Sequence, residues 1–240
     1  MSTPVSPSTT NEVVVAKLLQ VQRLRDRELA EHGRRTAELA VDIGSALGCD
    51  LDTLDRMFLA GQLHDIGKIG VTESTLWKPA GLNRAEWSEV RSHPEDGHDL
   101  VADVVHRDVA AAVLYHHERN DGGGYPLGID ARTLPLVARV VQVADAFDMI
   151  TAGRPYQPAV AVDAAVEEIE RCAGTQFDPE VSAALRRVYS PGGARWTDDG
   201  PAETDRVIDL TDHGPVRSPN PASADPYRQS PSMVRLRRSG

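Results

Sequence analysis

Cysteine is scarce: the 240 residues hold two, Cys49 and Cys172. They lie far apart and form no CxxC pattern, so a disulfide scaffold and a thiolate zinc site are not expected, and a reducing cytoplasm fits. An excess of basic charge is also missing. Lys and Arg number 26 against 36 Asp and Glu, a net charge of −10, which argues against binding a nucleic-acid polymer by neutralising its phosphates. A small anionic ligand stays open, because charge within a cleft can oppose the net charge. Long apolar runs are absent too. The longest, Val109 to Tyr115, is far too short to cross a bilayer. The opening "MSTPVSPSTTNE" has neither the basic n-region nor the apolar h-region of a secretory signal. Aromatics make up only 5%, yet a hydrophobic fraction of 40% predicts a globular body. A soluble cytoplasmic protein is expected.

Residues 1–10 are rich in Ser, Thr and Pro and are expected to be disordered. From Asn11 the chain reads as helical, with Val14, Leu18 and Val21 on one stripe and Leu39, Ile43 and Leu47 on the next. "LDRMFLAGQ" reads as a buried helix leading into "LHDIGK". "LNRAEWSEV" opens another, with Asn83 and Glu86 spaced as a capping box and His93 at its end. Residues 99–117 are expected to be helical. "RNDGGGYPLG" must be a loop, since three glycines and a proline break any helix. "VARVVQVADAFDMI" fits a helix, though its β-branched content also allows a strand. "VDAAVEEIERCAG" is a helix capped by Asp163 and Gly174, and "FDPEVSAALRRVY" one capped by Asp178 with Pro179 at its first position. Seven of 16 prolines fall between 191 and 231, so residues 190–240 are expected to be a disordered tail. The chain therefore divides into 1–10, an all-helical domain over 11–189, and the tail.

His64 and Asp65 stand side by side between Leu63 and Ile66, with Lys68 one turn on. Burying two such polar groups is costly unless they are paired or bind a cation. His32 follows Glu28 at i+4, on the same helix face. His93 precedes Pro94, His116 and His117 border the glycine loop, and Asp145 sits among apolar residues. A lone histidine is more often a surface or core residue than a ligand, and His98, His106 and His213 are read that way. The set taken together points to metal. Imidazole and carboxylate without thiols suit iron, manganese or zinc, and eight candidate groups are too many for one ion.

"HDIGK", "HPEDG", "HHERNDGGGYPLG", "VARVVQVADAFDMITAGRPYQ" and "FDPEV" together resemble the HD-GYP phosphodiesterases, a branch of the HD metal-dependent hydrolases. The resemblance covers about residues 15–189, and the HHExxDGxGYP string, His116 to Pro126, is its most specific part. It implies an all-α HD-domain bundle with an HD-GYP extension that hydrolyses the bacterial messenger cyclic di-GMP. By position it makes His32, His64, Asp65, His93, His116, His117 and Asp145 metal ligands, with Asp65 bridging and Lys68 beside the scissile phosphate. Glu28 matches the glutamate of members that hold three ions rather than two, so two or three divalent ions, iron or manganese, are expected. Arg154 resembles the arginine that contacts a guanine. Asp148 is expected to do similar work, with a solvent-facing carboxylate as the alternative. Tyr125 either braces the loop or faces the ligand, and the resemblance favours the ligand.

Two departures stand out. Gln157 replaces the usual cation after "RPY", and Asn120 stands where an aromatic is common. Altered affinity or substrate preference is expected from them before loss of hydrolysis. The product is pGpG or GMP, with the third-ion signature favouring GMP. Another cyclic dinucleotide as substrate, or a non-catalytic nucleotide-binding effector, are the competing readings. About 30 residues precede His32, so regulation is expected from the N-terminal helix, the tail, a partner protein or a homodimer.

Overall fold

The computed structural model describes residues 7–78, 80–152, 160–197 and 200–201. Arg154 and Gln157 lie outside them. The long helices run α1 (Pro7–Arg25), α2 (Arg27–Ala46) and α3 (Leu51–Leu63), followed by a 3-10 turn over Ile66–Gly70. Next come α4 (Glu73–Leu76), α5 (Arg84–Arg91), α6 (His93–Val101), α7 (Arg107–Tyr115), α8 (Leu136–Thr151), α9 (Val162–Arg171) and α10 (Pro179–Val188). The all-α expectation holds. No helix among the described residues is long and apolar enough to cross a membrane.

Local sequence explains most boundaries. Asp26 and Asp50 cap α2 and α3, accepting from the amides of Leu29 and Thr53 at 2.9 Å each and so satisfying donors that a helix start leaves free. The Asn83–Glu86 capping box and the Asp178–Pro179 start of α10 form as expected. The core lies around α8, of which 13 of 16 residues are buried. A helix apolar on every face but the stripe of Arg139, Gln142, Asp145 and Asp148 must sit inside the bundle, and its surroundings override the strand preference of its valines. It packs against α2, α3, α7 and α9.

Several expectations are corrected. The N-terminal helix starts at Pro7, inside the segment expected to be disordered. Residues 99–117 are not one helix: α6 ends at Val101, and the His106 side chain caps a new start by accepting from the Asp108 amide at 3.2 Å. His93 does not end the Asn83 helix but opens α6, with Pro94 in its first turn, where a missing amide hydrogen costs nothing. Asp163 lies in the first turn of α9, and Ala161 is the cap residue. Cys172 is that helix's C-cap, with Gly174 two residues beyond at φ +80°.

The body also continues past residue 189. Arg195 donates to Asp42 at 2.6 Å, and its amide to the Val188 carbonyl at 3.0 Å. β1 (Trp196–Thr197) then pairs antiparallel with β2 (Gly200–Pro201). The rest of the expected tail lies outside the described residues.

Candidate metal centre

Four of the five clustered histidines are aimed by what their Nδ1 touches. His64 closes α3 with Nδ1 2.8 Å from the Gly61 carbonyl. His93 has Nδ1 2.6 Å from the Val90 carbonyl, and His116 has Nδ1 2.8 Å from that of Val113. A carbonyl only accepts, so Nδ1 carries the proton in all three and Nε2 keeps its lone pair. His32 differs: its Nδ1 meets the carboxylate of Asp148 at 2.7 Å, across from α2 to α8.

The free nitrogens converge in two groups. His32, His64 and Asp145 form one; Asp65, His93, His116 and His117 form the other, and all are buried or nearly so. Within them, Nε2 of His32 and His64 approach to 3.2 Å, and Nε2 of His93 and His116 to 3.1 Å. Lone pairs that close repel unless a proton or a cation lies between them. Nε2 of His117 is buried with no hydrogen-bond partner among the described residues, a costly state for a polar atom. Asp65 joins the groups. Its Oδ1 lies 3.2 Å from His93 Nε2 and 3.7 Å from His116 Nε2, and its Oδ2 lies 3.4 Å from His64 Nε2. Asp145 Oδ1 sits 3.1 Å from His32 Nε2. The donor set fits one divalent ion per group, and Asp65 has an oxygen near each group.

The electrostatics agree. Burial pushes the His116 imidazole down to about 3, helped by the neighbouring His64 and His93. His117 is pushed down by burial and by His116. Both are therefore neutral and able to ligate near pH 7. Burial opposes ionisation of Asp65, but Lys68, His64 and His93 outweigh it and hold the carboxyl well below its usual range. Lys68 is itself buried, with Nζ 2.5 Å from Asp65 Oδ2.

Glycines let these segments meet. A Cβ on Gly67, two residues after Asp65, would stand 2.0 Å from the His93 carbonyl oxygen. Only glycine lets the 3-10 turn lie on the start of α6, which brings His93 to Asp65. A Cβ on Gly61 would stand 2.4 Å from Ala37 Cα, so α3 approaches α2 closely beside His64. In the loop, a Cβ on Gly124 would meet the backbone of Glu118 and Arg119 at 2.5 Å. The fully buried Glu118 carboxylate accepts from the amides of Leu127, Gly128 and Ile129 at 2.6, 3.0 and 3.1 Å. Tyr125 is stacked on His117, ring centroids 4.7 Å apart, with the Arg91 guanidinium carbon 4.4 Å from the Tyr125 ring centroid.

Seven expected ligands thus come together. Glu28 does not: it is exposed in the first turn of α2 and belongs to neither group. Asp148 is corrected, from a substrate-facing or solvent-facing carboxylate to a buried one that aims His32 and pairs with Arg35. Tyr125 lies behind His117 and is 7% exposed. Arg35 and Glu118 escaped sequence reasoning. Arg35 had no signal beyond its i+3 spacing from His32, whereas Glu118 stood inside the HHExxDGxGYP string.

The model of the HD domain matches residues 17–181. The response regulator RpfG of Xanthomonas campestris, named a cyclic di-GMP phosphodiesterase, is 35% identical over 72% of this chain and 47% of its own length. The 3′3′-cGAMP-specific phosphodiesterase 3 of Vibrio cholerae is 34% identical over 75% of this chain and 39% of its own. The chain therefore spans under half the length of these relatives. Among solved structures, the HDG"Y"P protein Bd1817 of Bdellovibrio bacteriovorus superposes with a TM-score of 0.56 at 18% identity, covering 76% of this chain and 61% of that one, which supports the fold. The chain belongs to the HD-domain family, and its His116-to-Pro126 string sets it in the HD-GYP branch.

Proposed function

We propose that this chain is a metal-dependent phosphodiesterase that opens a cyclic dinucleotide, cyclic di-GMP first among the candidates. The observation that carries this is Asp65, whose two oxygens face the two histidine groups while Lys68 Nζ rests on the same carboxylate. When bound, a pair of divalent ions supplies Lewis acidity toward the phosphoryl oxygens and makes water acidic enough to act as nucleophile near neutral pH. His32, His64 and Asp145 would hold one ion, and His93, His116 and His117 the other. Iron(II) and manganese(II) are the proposed ions, since both accept mixed imidazole and carboxylate donors. Glu28, one turn from His32 on α2, would be the candidate ligand for a third ion.

Lys68 places a buried ammonium beside the reacting phosphate, where it offsets charge and gives a proton to the leaving 3′ oxygen. Asp65 fixes that ammonium. The Glu118-anchored loop holds Tyr125 against His117 and shields that side from water. Arg154 is proposed to read a guanine edge. The product is the linear dinucleotide pGpG, or GMP where hydrolysis continues, and the reaction belongs to the cytoplasm, under control of a partner or a second copy.

Relatives of nearly equal identity carry cyclic di-GMP and 3′3′-cGAMP names, and this favours 3′3′-cGAMP as the second substrate. The test is anaerobic turnover of each dinucleotide by Fe(II)- or Mn(II)-loaded protein, with products separated by chromatography and Asp65→Ala as control. Metal-dependent product that the variant fails to make is expected. Full ion occupancy without turnover of either dinucleotide would sink the proposal and favour a binding-only effector.

A further inference from the structure

Among the described residues, four histidines of the cluster have an anchored Nδ1, and three of them use a carbonyl of the preceding turn, at i−3. That anchor is set by local backbone and comes with the helix. His32 is the exception, because among the described residues its Nδ1 is held only by the Asp148 side chain, 116 residues away. Asp148 is in turn gripped by Arg35, whose Nε reaches Oδ1 at 2.7 Å and whose Nη2 reaches Oδ2 at 2.9 Å. Two helices supply this arrangement as matched i, i+3 pairs: His32 and Arg35 on α2, Asp145 and Asp148 on α8. Asp145 meets Nε2 of His32 at 3.1 Å while Asp148 holds Nδ1, so one face of α8 both ligates and aims.

We propose that Arg35 is a positioning residue for one ion only, the one held by His32, His64 and Asp145. A planar guanidinium bonded through two nitrogens fixes a carboxylate in orientation as well as position. Held this way, Asp148 cannot rotate, and the His32 ring keeps its Nε2 directed at the group. Without Arg35, Asp148 keeps a single side-chain partner among the described residues and the ring loses its reference, whereas His93 and His116 keep their backbone anchors. The two ion sites therefore respond differently to one substitution 113 residues from Asp148. Loss of such orienting partners typically weakens metal binding about 10- to 100-fold.

This rests on the two-ion reading of the centre but not on the substrate. The test is a Mn(II) titration of the ion-free full chain by calorimetry, with metal content after gel filtration, for wild type, Arg35→Ala, Arg35→Lys and Arg34→Ala. The expected result is one site about 10- to 100-fold weaker in Arg35→Ala and the other unchanged. Arg35→Lys keeps the charge without the fork and falls between. Arg34, which pairs with Glu31 and Glu38 at the surface, leaves both sites as they are. Should Arg35→Ala fail to fold by circular dichroism, Arg35→Lys decides alone. Equal weakening of both sites, or wild-type affinities in Arg35→Lys, would overturn the proposal. Asymmetric ion loss without turnover of any dinucleotide would overturn the proposed function and leave this inference standing; a wild-type chain that binds no ion would overturn both.

Discussion

Asp65 faces His93 with Oδ1 at 3.2 Å and turns its other oxygen to a different histidine group. One carboxylate therefore belongs to both proposed ion sites. Asp65→Asn keeps the shape and removes the charge, so both Mn(II) affinities are expected to fall together, each by more than the about tenfold that loss of an orienting partner costs. Asp145→Asn touches only the His32 group and is expected to weaken one site. Calorimetric titration of the two variants side by side checks the contrast.

Gly67→Ala is expected to displace the start of α6, because the added Cβ meets the His93 carbonyl and the Gly97 amide, both backbone. Overpacking of this kind costs about 1–3 kcal/mol, and more where backbone must move. The urea midpoint of the ion-free protein should fall, and Mn(II) affinity should drop at the His93 site.

Glu118→Gln keeps the volume but turns an amide NH2 toward a set of three backbone donors. At least one part-buried N–H then loses its acceptor, at about 1 kcal/mol, the low end of the cost of an unmade hydrogen bond. Urea denaturation should register that loss in the ion-free protein, and hydrogen exchange should show faster opening of residues 127–129.

The pH dependence of the ion-free chain follows from three histidines. His116, at about 3, and His117, also pushed down, bind fewer protons folded than unfolded. The stability they contribute is therefore full above their ordinary value of 6.5 and is lost as pH falls below it. His32 has the opposite sign. Burial opposes its charge, yet hydrogen bonds to Asp145 and Asp148 raise it to about 9. Its contribution is full below 6.5 and is lost as pH rises through about 9. Urea midpoints should peak near neutrality and decline on both sides, and a midpoint that climbs steadily to alkaline pH would contradict the His32 assignment.

The sequence alone picked out seven of the side chains that the fold brings together, and the helical class. Both follow from short-range pattern: the HD dyad, the histidine doublet, the glycine loop, and caps such as Asn83 with Glu86, whose bonds span only a few residues. His116 to Pro126 was legible because loop glycines and ligands adjoin there. Tertiary structure decided the rest. Whether "VARVVQVADAFDMI" became strand or helix depended on being surrounded by other helices, not on its valines. His93 changed from the end of one helix to the start of another, where Pro94 takes the first turn and the 3-10 turn at Gly67 packs closely. Asp148 became the partner of His32 and Arg35 because α2 and α8 cross. A spacing of more than a hundred residues carries no periodic signal, and only the packed chain brings those three side chains within hydrogen-bond reach.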